Sequence, residues 1–153
     1  MNPDLLATGP LIAALVALAR SDLARMRLPD GLTLPLVAAG LALAAVRAGG
    51  WPLDALAGAA AGWLLVVGLR ALWMAWRGRD AIGMGDAKLL AAAGAWVGWA
   101  PLPRVILVAS LGALAAAVLR GHDRAAPLPF GPWLCAGFAA LWLWGLATGG
   151  LPR

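Results

Sequence analysis

Six apolar runs, each broken off by charged residues or by Gly and Pro, leave this chain few choices of fold. They cover about residues 5–21, 30–47, 53–76, 87–100, 103–119 and 130–149. All are rich in Ala and Leu, and none alternates as a strand does, so helices are the natural structure for them in lipid. The 153 residues are 63% hydrophobic and 12% charged, more apolar surface than one soluble domain of that size can bury. The expected fold is therefore all-α: a polytopic integral membrane protein with about six transmembrane helices, forming one membrane-embedded domain over residues 1–153. The fourth run is short. Between Asp86 and Pro101 there are too few residues for the roughly 20 that a full crossing needs, so its start is either sunk below the headgroups or reached by a re-entrant loop.

The basic residues set an expected orientation. Arg20, Arg25, Arg27, Arg70, Arg77, Arg79, Lys88, Arg120 and Arg124 fall at the loops after the first, third and fifth runs, against Arg47, Arg104 and Arg153 on the other side. That bias places the odd-numbered loops in the cytoplasm and both termini outside. Trp51, Trp99 and Trp142 lie near the ends of runs, as interfacial anchors do. The cations sit in short clusters between apolar segments rather than along one face, so no nucleic-acid partner is expected. A single cysteine, Cys135, and a single histidine, His122, exclude an internal disulfide and a Cys- or His-based metal cluster within the chain. The start, "MNPDLLATGP", has no basic region ahead of its apolar stretch, so a cleavable signal peptide is not expected.

Few side chains remain for chemistry. The chain has no Glu or Tyr, one Lys and seven Asp. Asp4 and Asp54 on the outer side, and Asp80 and Asp123 beside arginines in loops, read as ordinary surface charge. Asp30, after Pro29 and before an apolar run, stands where a helix N-cap belongs. Asp22 and Asp86 are left, one closing the first run and the other opening the fourth, both at the same boundary of the bilayer. Two carboxylates at one depth are what an aspartic protease needs: one takes a proton from water while its protonated partner polarises the scissile carbonyl. Spacing alone also allows a charge paired with Arg25 for Asp22 and a helix cap for Asp86.

Three segments, in order, resemble one family. "SDLARMRLPDGLTLPLVAAGL" (21–41), "GMGDAKLLAAAGAWVGW" (83–99) and "PLPFGPWLCAG" (127–137) are similar to segments of the prepilin peptidases, or type IV leader peptidases, which are GxGD membrane aspartic proteases. The resemblance implies that Asp22 and Asp86 are the catalytic pair and that Gly83 and Gly85, with Lys88 just beyond, belong to a signature loop that meets substrate. It implies type IV prepilin or pseudopilin precursors as substrates, cleavage just ahead of their hydrophobic helix at the cytoplasmic face of a bacterial inner membrane, and no metal or other cofactor. Full-length members carry an N-terminal region with paired cysteines, and many methylate the new N-terminus. This chain is similar to the peptidase part, as a short form without that region, and methyltransferase activity is not expected of it.

The glycines suit such a site, since a backbone without side chains can turn tightly and let an extended peptide approach Asp86. Asp86 opens its helix, where the dipole favours an anion, and Asp22 closes its own, where it does not. That asymmetry marks Asp86 as the ionised base and Asp22 as the protonated acid. Two readings from other classes stay open. Ser21 or Ser110 with Lys88 could form a Ser–Lys pair, and membrane aspartates also serve non-enzymatic transporters or assembly subunits.

Overall fold

The computed structural model describes residues 3–78, 83–119 and 129–150. They form six helices and, among the described residues, no strand: α1 (Pro3–Arg25), α2 (Asp30–Ala48), α3 (Leu53–Arg77), α4 (Met84–Val97), α5 (Leu102–Leu119) and α6 (Gly131–Thr148). Each falls on one of the apolar runs. Four of them, α1, α2, α3 and α5, are long and apolar enough to cross a membrane. Large apolar side chains such as Leu64, Leu72, Leu107 and Leu114 face outward, an exterior suited to lipid.

The short helix is the centre of the molecule. At 14 residues α4 is about 21 Å long, well under the thickness of a bilayer's hydrocarbon. It is shielded by its neighbours, with every residue from Leu89 to Val97 buried. It packs chiefly on α3 and α2 and also touches α6 and α5, while α1 and α5 flank α6.

Close backbone contact between α3 and α4 sets the depth of the site. A Cβ on Gly58 would strike the carbonyl oxygen of Gly94, one on Gly94 would strike that of Gly58, and one on Gly62 would come 2.5 Å from the carbonyl oxygen of Leu90. The two helices run antiparallel in this seam, and one further turn of the same register brings Asp86 level with Val66. Val66 lies about 16 Å along α3 from Arg77. The N-terminal end of α4 thus lies short of the end of the helix beside it.

The opposite end of the bundle departs from the sequence reading. Asp4 is not plain surface charge: its Oδ1 accepts from Arg47 Nε at 2.6 Å, and both side chains are largely buried. The Arg47 guanidinium also lies 5.0 Å over the ring of Trp142. Trp142 is fully buried rather than an interfacial anchor, because its ring packs edge-on to Trp96 at 5.1 Å and its Nε1–H donates to Thr8 Oγ1 at 3.0 Å. Trp51 and Trp99 are exposed, as anchors are. Asp80, Asp123 and His122 lie outside the described residues.

Candidate active site

Four helix ends meet around a polar cavity of about 680 Å³: the last turn of α1, the start of α2, the start of α4 and the residues leading into α6. Asp22 and Asp86 both line it, so two acids remote in sequence share one chamber. Asp22 is buried and Asp86 partly so. Gly83, Gly85 and Lys88 line the same walls, as do Ser21, Arg25 and Asp30.

Asp22 is held from an unexpected quarter. The backbone N–H of Gly131, the first residue of α6, donates to its Oδ2 at 3.1 Å. Among the described residues it makes no ion pair with Arg25. The last turn of α1 and the first turn of α6 therefore act on this carboxyl in opposite senses, and position at a helix end no longer separates a base from an acid. Gly131 owes its place to its size, since a Cβ there would lie 2.7 Å from Asp22 Oδ2 and 2.9 Å from Cγ. Sequence reasoning had noticed the stretch around Gly131 without assigning it a task.

Asp86 stands in the first turn of α4, its N–H bonded to the Gly83 carbonyl at 3.2 Å. The two glycines before it differ in role. Gly83 has φ −67° and ψ 131°, a conformation open to any residue, and a Cβ there would meet only Asp86 Oδ2 at 3.7 Å. Gly85 is confined: a Cβ would come 2.9 Å from Leu28 Cβ and 3.2 Å from its Cδ1. Neither glycine has a positive φ, so neither is required by its backbone conformation. What Gly85 permits is the approach of α4 to the segment joining α1 to α2, which brings the two acids to one cavity.

Asp30 is not a cap. Pro29 occupies the cap position of α2 with no side-chain bond, and Asp30 begins the helix, pairing with Lys88 Nζ at 2.5 Å. The pair links α2 to α4 at the cavity wall. Lys88 is thus engaged, and the Ser21 hydroxyl donates to the Arg27 carbonyl at 2.9 Å. Neither serine is paired with the lysine, which disfavours a Ser–Lys mechanism. No cluster of three or more potential metal ligands occurs among the described residues.

Beyond Asp86 a second cavity opens, of about 320 Å³ and mostly apolar. It shares only Asp86 and Phe130 with the first.

An all-helical bundle with an apolar exterior that gathers two carboxyl groups in one chamber defines a polytopic membrane protein. The pattern of the type IV leader peptidase family matches residues 10–118, and the chain belongs to that family. A prepilin leader peptidase/N-methyltransferase of Aeromonas salmonicida (strain A449) is 49% identical over 137 residues, 86% of this chain and 46% of that protein. The protein of the same name from Burkholderia pseudomallei (strain 1026b) is 44% identical over 150 residues, 92% of this chain and 47% of its own length. That of Dickeya chrysanthemi is 44% identical over 144 residues, with 87% and 49% covered. The chain spans about half the length of the curated relatives it matches. No solved structure matches it. Family and apolar helices together mark a protein of the bacterial inner membrane.

Proposed function

We propose that this chain is an aspartic endopeptidase that removes the leader from type IV prepilins and prepilin-like precursors, with Asp22 and Asp86 as its catalytic pair. The observation that carries the reading is the meeting of these two carboxyls in one polar cavity, in a chain whose family is that of the leader peptidases. A single helix cap or surface charge would not need the other acid beside it.

In this reading the two carboxyls share one proton, because neighbouring like charges resist ionising together. Water between them attacks the scissile carbonyl carbon. The ionised carboxylate takes a proton from that water as the protonated partner gives its proton to the carbonyl oxygen, forming a tetrahedral diol. The diol then collapses: the C–N bond breaks, the leaving amine is protonated by the acid formed in the first step, and a diol hydroxyl returns its proton to the other carboxylate. The products are a new carboxyl and a new amine, and the pair again holds one proton.

The excess of basic residues at the cavity's end of the bundle supports placing that end in the cytoplasm, with both chain ends in the periplasm. Gly83 and Lys88 would then meet the incoming peptide from the cavity wall, and residues 1–153 would act as a single peptidase unit.

The test is cleavage of a prepilin by purified protein in detergent, read by product mass. Wild-type protein is expected to release the leader, and Asp22→Asn and Asp86→Asn to fall by at least about a thousandfold. Full activity in both variants, or its loss in Ser21→Ala, would overturn the assignment.

A further inference from the structure

The second cavity bears on what the site can accept. It is built from helix positions four residues apart: Leu65 and Leu69 on α3, Ile106 and Ser110 on α5, and Asp86 and Leu90 on α4. Residues so spaced lie one above the other on a helix face, so each helix presents a continuous strip to the groove. Leu90, wholly buried, forms the floor. The α3 and α5 walls belong to helices that are not packed together, since α3 lies on α4 and α5 on α6. The gap between them is open at the side of the bundle, since the wall residues Leu65 and Leu69, in the middle of α3, are themselves exposed. Leu69 lies about 12 Å along α3 from Arg77, below the polar end of the bundle.

Two chambers of opposite character therefore adjoin at Asp86 and Phe130, one polar and open at the helix ends, the other apolar and open at the side. A substrate that fills both must be polar on one side of its scissile bond and apolar on the other. Resting on the peptidase reading above, we propose that the apolar groove receives the first turn of the precursor's apolar helix, on the carboxyl side of the cut, while the polar cavity receives the leader and Phe130 parts the two. The groove's volume, at the lower end of the range of about 300–1,000 Å³ for ligand pockets, accepts the side chains of one helical turn rather than a whole helix. The rest of the substrate helix stays in lipid, against the outer faces of α3 and α5. No part of it has to pass through water to bring the scissile bond to Asp86.

Two measurements test this. Ser110→Trp fills the groove from the α5 side. The ratio of kcat/KM for a whole precursor to that for a precursor truncated two residues after the scissile bond is expected to fall at least about tenfold, roughly what a misfitted side chain costs in an apolar pocket. Val46→Trp, exposed on α2 and outside both cavities, is expected to leave that ratio unchanged. Independently, a photoactivatable side chain at Ser110 is expected to cross-link to the first turn of the precursor's helix, and the same group at Val46 is not. An unchanged ratio in Ser110→Trp, an equal loss on both substrates, or cross-links from Ser110 only to the leader or to lipid would overturn the groove assignment while leaving wild-type cleavage intact. Wild-type protein that cuts neither substrate would overturn the peptidase reading itself, and this one with it.

Discussion

Gly131 holds Asp22 by its backbone, and any side chain on Gly131 would occupy the place of the carboxyl it holds. The contact joins the end of the first helix to the start of the sixth. Gly131→Ala is therefore expected to move Asp22 rather than unfold the chain. A displacement of about 1 Å at a reacting group costs on the order of a hundredfold in rate. Single-turnover cleavage should show that loss, while the unfolding transition in detergent shifts little.

The two glycines before Asp86 are expected to respond unequally. Gly85→Ala presses on Leu28 and should destabilise the fold by about 1–3 kcal/mol. Gly83→Ala has room and should leave the unfolding midpoint close to wild type. Leu28→Gly removes all the opposing side-chain atoms, so the double variant with Gly85→Ala should show a coupling energy of about 0.5–3 kcal/mol. Additive losses would show that Leu28 is not what excludes a side chain at Gly85.

The seam between α3 and α4 admits a similar comparison. Gly94→Leu places a large side chain against the backbone of Gly58, whereas Gly68, on the same pair of helices, is exposed and a Cβ there meets nothing within 4 Å. The first should cost about 1–3 kcal/mol or more and carry Asp86 away from the cavity. Gly68→Leu should be close to neutral. Urea or thermal unfolding, together with cleavage activity, reports both.

At the far end, Arg47→Met removes the cation that faces Asp4 in a largely buried setting. Breaking such a pair from one side costs about 3–5 kcal/mol. Replacing both partners by apolar residues, Arg47→Met with Asp4→Leu, is expected to recover much of that. The measurement is the unfolding midpoint of the two variants, and an equal loss in both would show that the pair itself contributes little.

The helices and the two acids were legible in the sequence because both leave strong local signals. Apolar runs between Gly, Pro and charged residues mark α1 to α6 closely, and in so apolar a chain an acid at the lip of a run stands out. Partnerships across the bundle left no such trace. Asp30 carries every local mark of a cap, yet Lys88, 58 positions away, takes its carboxylate. Asp4 resembles any terminal charge until Arg47 reaches it from the end of α2. The Gly131 contact is made by a backbone N–H, a group every residue but proline possesses, so composition cannot announce it. Trp142 was misplaced because nearness to the end of a run suggests an interface, and only the packing of Trp96 and Thr8 around it shows otherwise.

The bond from Gly131 to Asp22 closes a loop of chain 109 residues long. A ribosome delivers Asp22 early and Gly131 late, so for most of synthesis the nascent protein holds its first acid without the backbone group that fixes it. The placing of Asp22 in the chamber is thereby tied to the arrival of α6.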